Sequence, residues 1–166
     1  MTSPPILPLP EDGLGLDAEL QSLMDEQDDH ARAEFDGLHQ RVLERLLGDA
    51  QSIAQAREAG GFLLNGRTVV LRWHADTDTI ECFCDVGEPE PHSRDSLYRT
   101  ALEINLCRTH RGLILGVHPE SGRVVATLAL PRLLVADEEA LVSQLEMLTL
   151  RVGYLRDSRA LALVDD

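Results

Sequence analysis

Hydrophobic positions recur with two different periods along the chain, and the change of period predicts where helix gives way to strand. Over residues 31–59 the apolar side chains lie three or four positions apart, as in Phe35, Leu38 and Val42, which indicates a long helix. Gly48 lowers the stability of the middle of this helix by about 1 kcal/mol relative to alanine. A Gly-Gly pair directly after residue 59 then ends it.

Beyond this helix, apolar and polar residues alternate, which is the period of a β-strand. Three strands are predicted, at residues 62–64, 68–73 and 79–86. The first two flank Asn65 and Gly66, and this dipeptide strongly favours a two-residue hairpin turn. The sequence therefore predicts a three-stranded antiparallel meander.

The second half of the chain repeats the change of period. A helix is expected at residues 94–107, after a loop that contains two prolines. Two strands at residues 113–117 and 124–130 flank a Pro-Glu-Ser-Gly turn, and a last helix begins with Asp137 as its N-cap. The predicted fold is therefore α+β, in the order helix, three-stranded antiparallel meander, helix, β-hairpin, helix.

The formal net charge of −14 is concentrated near the N-terminus, where residues 1–36 hold ten acidic residues and a single arginine. We expect residues 1–30 to form an acidic, proline-rich arm, flexible or loosely docked, in which residues 17–29 are a candidate helix. Residues 31–157 are expected to form the folded domain and residues 158–166 a C-terminal tail. Because an acidic surface repels phosphate backbones, nucleic acid is not an expected partner.

Signals that direct a protein into or across a membrane are not evident in the sequence. No apolar run approaches the roughly 18 residues that a membrane-spanning helix needs. Residues 1–10 contain four prolines and no basic residue, unlike a secretory signal. Together with the low cysteine count, these features predict a reduced, cytoplasmic protein without membrane insertion.

Reactive side chains do not form a recognisable catalytic pattern. Cys82 and Cys84 point to one face of a predicted strand, and with His74 nearby they are a partial metal-site pattern without an evident fourth ligand. Two small thiols buried in the core are the simpler interpretation. Trp73 is assigned to the core, with an exposed anchor for a partner as the alternative. The sequence predicts no catalytic, cofactor-binding or metal site, and therefore no enzyme.

Two features instead favour binding to another protein. A meander followed by a hairpin leaves edge strands that can accept an extended segment by adding it to the sheet. The apolar arc of the predicted helix at residues 94–107 is wider than one small subunit readily covers, so we expect a symmetric dimer.

The motif Leu102-Glu-Ile-Asn-Leu106, the hairpin from Gly112 to Val124 and the acidic start of the last helix at Asp137 occur in this order. With them the chain resembles the class I type III secretion chaperones, the Tir chaperone or CesT-like family, over about residues 35–157. The acidic, proline-rich residues before the first helix depart from the family pattern. We interpret them as a solubilising arm. A pseudo-client that covers the binding groove, or a mark of the subgroup that serves several effectors, are the alternatives.

The resemblance implies a homodimer that binds the N-terminal region of one or more bacterial effector proteins. The chaperone is then expected to hold this region in an extended, secretion-competent state and to deliver it to the export apparatus, without a cofactor and without hydrolysing ATP itself. The alternative is a regulatory adaptor of the same fold that binds another secretion regulator. Contact with the secretion ATPase is left open.

The resemblance also implies two groups of contact residues, carried over position by position. The dimer interface is expected to contain Leu97, Ala101, Leu102, Ile104, Leu106, Leu113, Leu115 and Val117. The client-binding surface is expected to contain Phe35, Leu38, Val42, Phe62, Leu64, Val70 and Trp73.

Overall fold

A computed structural model of the chain describes residues 13–107, 112–135, 137–158 and 161–164. Within these residues the chain forms four α-helices and five β-strands. In chain order they are α1 (Gly13–Leu47), α2 (Ala50–Ala59), β1 (Phe62–Leu64), β2 (Arg67–His74), β3 (Thr79–Gly87), α3 (Arg94–Cys107), β4 (Leu113–Val117), β5 (Val124–Pro131) and α4 (Glu138–Asp157). The predicted α+β class is confirmed, and so is the order of elements, except that the first predicted helix is two helices.

The prediction of one helix over residues 31–59 is wrong because Gly48 and Asp49 divide it. Gly48 has a φ of 74°, in the left-handed region, and ends α1. The Asp49 carboxylate then accepts a hydrogen bond from the N–H of Ser52 (2.8 Å) as the N-cap of α2. A glycine in the left-handed region followed directly by an N-cap residue thus interrupts the segment, although the period of its apolar residues predicted one helix.

Helix α1 begins well before residue 31, the predicted start of the folded domain. Residues 17–29, predicted as a candidate helix, are continuous with its C-terminal part. In this N-terminal half the side chains of Asp25, Glu26, Asp28 and Asp29 are exposed. Residues 1–12 of the predicted arm lie outside the described residues.

The five strands form one antiparallel sheet in the order β1-β2-β3-β5-β4. In the β1–β2 turn, Asn65 and Gly66 have φ values of 52° and 74°, the pair of left-handed residues that a type I′ hairpin requires. Strand β5 lies beside β3, with Ala126 opposite Cys84, so β4 lies at the far edge. The two edge strands of the sheet are therefore β1 and β4.

One face of the sheet packs into the hydrophobic core. The side chains of Val69, Ile80, Cys82 and Val124 are fully buried on this face. Helix α4 supplies the predicted apolar stripe, which is also buried and consists of Leu141, Leu145, Leu148, Val152 and Leu155. The Asp137 carboxylate caps this helix by accepting a hydrogen bond from the N–H of Ala140 (2.7 Å), as predicted.

In the described residues, no helix is both long enough and apolar enough to span a bilayer.

Residues 161–164 of the predicted C-terminal tail pack against the loop after β3. Leu161 is buried, and Leu163 forms a β-bridge with Pro89. The N–H of Val164 donates to the carbonyl oxygen of Glu88 (2.9 Å). This part of the tail is therefore joined to the domain by backbone hydrogen bonds as well as by an apolar side chain.

Candidate functional site

The predicted dimer residues divide into a buried and an exposed group. Leu97, Ala101, Leu113 and Leu115 lie in the core of the subunit, and Ile104 packs against that core. The three remaining residues, Leu102, Leu106 and Val117, have exposed fractions of 68%, 84% and 40%. Of the eight predicted dimer residues, only these three are exposed and can offer a large apolar surface to a partner.

Ile114, which lies between the predicted interface residues Leu113 and Leu115, is an exposed apolar residue as well. Its exposed fraction is 58%, whereas its neighbours Leu113 and Leu115 are buried. Successive side chains of a strand point to opposite faces of a sheet, so the alternation in β4 was the signal that identifies it. Leu102, Leu106, Ile114 and Val117 are called the α3–β4 apolar surface below.

The outer edge of β4 is occupied by a side chain of α3. The Asn105 carboxamide donates from Nδ2 to the carbonyl oxygen of Leu115 (2.9 Å) and accepts at Oδ1 from the N–H of the same residue (2.8 Å). Both backbone polar groups of Leu115 are therefore satisfied without a neighbouring strand.

The opposite edge of the sheet borders a groove between β1 and α2. The residues that line it are Leu47, Ser52, Gln55, Ala56, Ala59, Gly61, Phe62, Leu63 and Thr68. Two of them, Ala56 and Ala59, lie one helical turn apart, and their small side chains leave room above β1. Leu63 is 67% exposed at the rim. This groove, called the α2–β1 groove below, is an open and largely apolar channel beside the edge strand β1.

Gly61 allows the chain between α2 and β1 to approach β2 closely. A Cβ atom at this position would lie 2.8 Å from the carbonyl oxygen of Val69 and 2.9 Å from a methyl carbon of Val70. Both separations are shorter than van der Waals contact, so a side chain here would force the start of β1 away from β2. The α2–β1 groove therefore depends on a glycine at position 61.

The predicted client-binding residues do not form one surface. Phe35, Leu38, Val42 and Phe62 are buried in the core. Leu64 and Trp73 are half-buried and pack against that core. Val70 is half-buried on the other face of the sheet, because it alternates with the buried residues Val69 and Leu71. In the conformation described, the first four are not available to a client.

Trp73 combines the two interpretations proposed from the sequence. Its ring stacks on that of Phe35 with centroids 6.4 Å apart, and its indole Nε1 donates to Asp78 Oδ1 (3.1 Å). The side chain is nevertheless only half-buried, so one part of the ring remains at the surface. A partly exposed tryptophan held by a hydrogen bond is typical of a surface that combines packing with recognition.

The sheet face opposite the core carries a group of apolar residues that includes Val70 and also Phe83, which was not a predicted contact residue. Phe83 lies opposite Val70 on β2 and opposite Thr127 on β5. The guanidinium of Arg72 lies 5.7 Å from the centroid of the Phe83 ring, and Asp85 accepts two hydrogen bonds from Arg123 (2.9 and 2.5 Å). The face is therefore mixed, with an apolar centre and charged side chains around it.

The cysteines and His74 do not combine into a metal site. Cys82 and Cys84 point into the core, and burial raises the pKa of both thiols to about 12. His74 lies on the other face of the sheet, where a ring nitrogen is 2.8 Å from Glu81 Oε2. In the described parts of the chain, no group of three His, Cys, Asp or Glu side chains is arranged to hold a metal ion.

Comparison with known proteins identifies a family and a fold. A model of the Tir chaperone protein (CesT) family matches residues 43–156. A chain of the solved ExsC-ExsE complex is similar with a TM-score of 0.52 and 14% identity, over 71% of this chain and 90% of that chain. A chain of the HopA1-SchA chaperone-effector complex gives a TM-score of 0.44 and 18% identity, over 58% of this chain and 73% of that chain. No curated protein matches in sequence. Since the family match spans more than half of the chain, the chain belongs to the Tir chaperone protein (CesT) family.

Proposed function

We propose that this protein is a type III secretion chaperone that binds the N-terminal region of a bacterial effector protein in the cytoplasm. It acts as a homodimer, keeps the bound region extended and delivers it to the export apparatus, without enzymatic activity. Family membership supports the chaperone role. The structural observation that carries the proposal is the α2–β1 groove, which combines an apolar channel with an edge strand.

The edge strand β1 offers backbone groups to an extended segment. In a two-residue hairpin the residues that flank the turn exchange hydrogen bonds, and here these residues are Leu64 and Arg67. The N–H and C=O of the preceding residue, Leu63, are consequently directed away from β2. An extended client segment can add to the sheet there, with alternate side chains entering the groove beside Ala56 and Ala59.

The groove and the net charge limit the chemistry of the client segment. The lining is mostly apolar and its helix side is formed by small residues, so it favours medium-sized apolar side chains at alternate positions. The chain carries a formal net charge of −14, which attracts basic segments and repels acidic ones. The expected client segment is therefore extended, apolar at every second residue and not acidic.

The α3–β4 apolar surface supports a homodimer. Leu102 and Leu106 lie one helical turn apart, so both side chains lie on the same side of α3. When a second copy covers these leucine side chains, their apolar surface is removed from water, and this burial stabilises the dimer. A symmetric pair brings the same surface from both subunits together, and the expected mass is about twice 18.3 kDa.

The exposed acidic half of α1 supports the solubilising role of the N-terminal segment. Asp25, Glu26, Asp28 and Asp29 direct negative charge into solvent. A helix of this kind increases repulsion between chaperone molecules that carry apolar client segments. The segment then protects the complex from aggregation without entering the groove.

The decisive experiment is a pull-down of the tagged chain from its native host, followed by mass spectrometry. We expect a secreted effector to be recovered with the wild-type chain and with Ala54→Arg, and to be lost with Ala59→Arg, which fills the groove. Recovery of no secretion-related protein would contradict the proposal. Recovery of a secretion regulator instead of an effector would favour the adaptor alternative, and the same sample reports whether the secretion ATPase is bound.

The same pull-down tests the N-terminal segment with a chain that lacks residues 1–30. Equal recovery of the effector is expected if the segment only increases solubility. Markedly higher recovery would instead favour the pseudo-client interpretation, in which the segment competes for the groove.

A further inference from the structure

The two edges of the sheet are not equivalent, and Asn105 makes the difference. A free edge strand is a template for any extended segment, whether from a partner or from another copy. Strand β1 has no side chain bonded to its outward backbone groups among the described hydrogen bonds, whereas Leu115 of β4 is bonded twice by Asn105. The structure therefore protects one edge while leaving the other accessible.

The position of Leu115 decides how effective this protection is. In an antiparallel strand the N–H and C=O of one residue point the same way, and those of the next residue point the opposite way. Because Leu115 binds Asn105, the backbone groups of Leu113, Leu115 and Val117 are the outward ones in this five-residue strand. Leu115 is the central member of the three, so an added strand in any register would have to displace the carboxamide.

The carboxamide is a close chemical substitute for a strand residue. It has one oxygen acceptor and an N–H donor in a plane, as a peptide group does. Asn105 uses both toward the same residue, in the reciprocal pattern that a neighbouring strand would supply. No other side chain except glutamine presents this pair, and glutamine is longer by one methylene group.

Asn105 is held rigidly enough to act in this way. It lies four and eight residues after Ala101 and Leu97, on the same side of α3. Both of those residues are buried in the core, with exposed fractions of 7% and 1%. The helix is therefore anchored one turn before the carboxamide, which fixes the side chain over β4.

We propose that Asn105 closes the β4 edge to strand addition and so confines the addition of a client segment to β1. The part of this inference that concerns the client rests on the proposed function. The closure of β4 does not rest on the proposed function, since it follows from the contact between Asn105 and Leu115. Asn105 is a positioning residue in this role and does not itself contact the client.

Amide hydrogen exchange measured by NMR tests the closure in the wild-type chain. We expect the amide of Leu115 to exchange about tenfold more slowly than the outward amide of Val117, although both lie on an edge strand. In Asn105→Leu, which keeps the volume but not the hydrogen bonds, the protection of Leu115 should fall by about the same factor. In Asn105→Asp it should fall as well, because the carboxylate oxygen that replaces Nδ2 lies against the carbonyl oxygen of Leu115 and the two acceptors repel each other. Equal exchange of Leu115 and Val117 in the wild-type chain would overturn the proposal.

A second measurement tests strand addition directly, with a nine-residue peptide of alternating valine and arginine that carries a nitroxide at its N-terminus. Leu102→Asp, which is expected to separate the proposed dimer, serves as the parent chain so that a second copy does not cover β4. In this parent we expect the label to broaden amide signals near Leu63 and not those of residues 113–117. With Asn105→Leu added, residues 113–117 should broaden as well. Broadening at β4 in the parent, or none there after Asn105→Leu is added, would each overturn the proposal. Failure of the peptide to affect β1 would instead contradict the proposed strand addition at the α2–β1 groove.

Discussion

Arg132 and Asp78, separated by 54 positions in the sequence, are joined by two hydrogen bonds. The backbone N–H of Arg132 donates to the Asp78 carbonyl oxygen (3.0 Å), and its Nε donates to Asp78 Oδ1 (2.7 Å). The same guanidinium donates to Glu34 of α1 (2.5 Å), and Trp73 donates to the same carboxylate oxygen of Asp78. The hydrogen bonds of Arg132 therefore connect α1 and the β2–β3 turn to the end of β5.

This network makes stability depend on pH through Asp78. The hydrogen bond from Arg132 holds the pKa of the Asp78 carboxyl below its usual value, against the opposing effect of desolvation. A lowered pKa means that the stabilisation is complete above the usual pKa of aspartate and is lost as the pH falls through the folded-state pKa. Because the side chain is 49% exposed, the expected contribution is only about 0.5–1 kcal/mol.

We therefore expect Asp78→Asn to lower the free energy of unfolding at pH 7 and to have a smaller effect at pH 3. Urea unfolding of both chains at the two pH values measures this difference. Asp76→Asn, in the same exposed turn, is the matched control and should change stability less at either pH. An equal loss for the two variants would contradict the role of the Arg132 network.

Two glycines, one inside α1 and one directly after it, should respond to alanine with opposite signs. Gly48 has a φ of 74°, so alanine there costs about 1 kcal/mol in unfolding free energy, although its Cβ would have open space. Gly37 lies inside α1, and a Cβ there would make an ordinary contact of 3.5 Å with Arg41. Alanine at position 37 should stabilise the chain by about 0.5–1 kcal/mol. Chemical denaturation measures both variants, and the same sign for the two would show that the backbone argument is wrong.

Thiol reactivity should distinguish Cys107 from the other two cysteines. Burial raises the pKa of Cys82 and Cys84 to about 12, so almost no thiolate forms at pH 8, and the core also excludes reagent. Cys107 is exposed at the end of α3. Ellman's reagent should therefore titrate one thiol per native chain and three after unfolding in urea. Cys107→Ser should abolish the native reaction, and a fast reaction that remains in this variant would place a buried thiol at the surface.

The α2–β1 groove can be blocked by a single substitution on α2. Ala59 lines the groove, so the side chain introduced by Ala59→Arg should occupy it and weaken binding of the effector found by pull-down by about tenfold or more. Ala54→Arg introduces the same side chain on the same helix, at an exposed position that does not line the groove. Isothermal titration calorimetry measures both affinities. Equal weakening by the two variants would indicate a charge effect and would contradict the groove as the binding site.

The proposed dimer depends on Leu102 and not on exposed leucines in general. Leu102→Asp places a charge on the α3–β4 apolar surface, and because this residue is 68% exposed in the subunit, we expect a folded monomer. Leu133→Asp is the matched control, since Leu133 is 88% exposed outside that surface, and it should remain dimeric. Light scattering after size-exclusion chromatography reports the mass, and circular dichroism reports the fold. A soluble Leu102→Asp dimer would refute the interface.

Local sequence patterns determined most of the secondary structure. The strand period, the Asn65-Gly66 turn and the Asp137 cap act over a few residues, so they can be recognised without knowledge of the rest of the chain. The same is true of the break at Gly48, where the sequence contained both the left-handed residue and the Asp49 cap, although the period of apolar residues pointed to one continuous helix. The order of elements, and with it the family resemblance, followed from these local signals.

The tertiary structure alone decided which apolar residues are available to a partner. Periodicity shows that Phe35, Leu97 and Leu102 each belong to an apolar stripe, but burial separates them, because the width of a stripe does not show where the subunit's own core ends. The position of β4 at the edge, and the use of Asn105 to close it, likewise depend on contacts between separate elements. Short-range patterns are determined by the backbone of a few neighbouring residues, whereas exposed edges and surfaces result from packing of the whole chain, and these are the features on which partner binding depends.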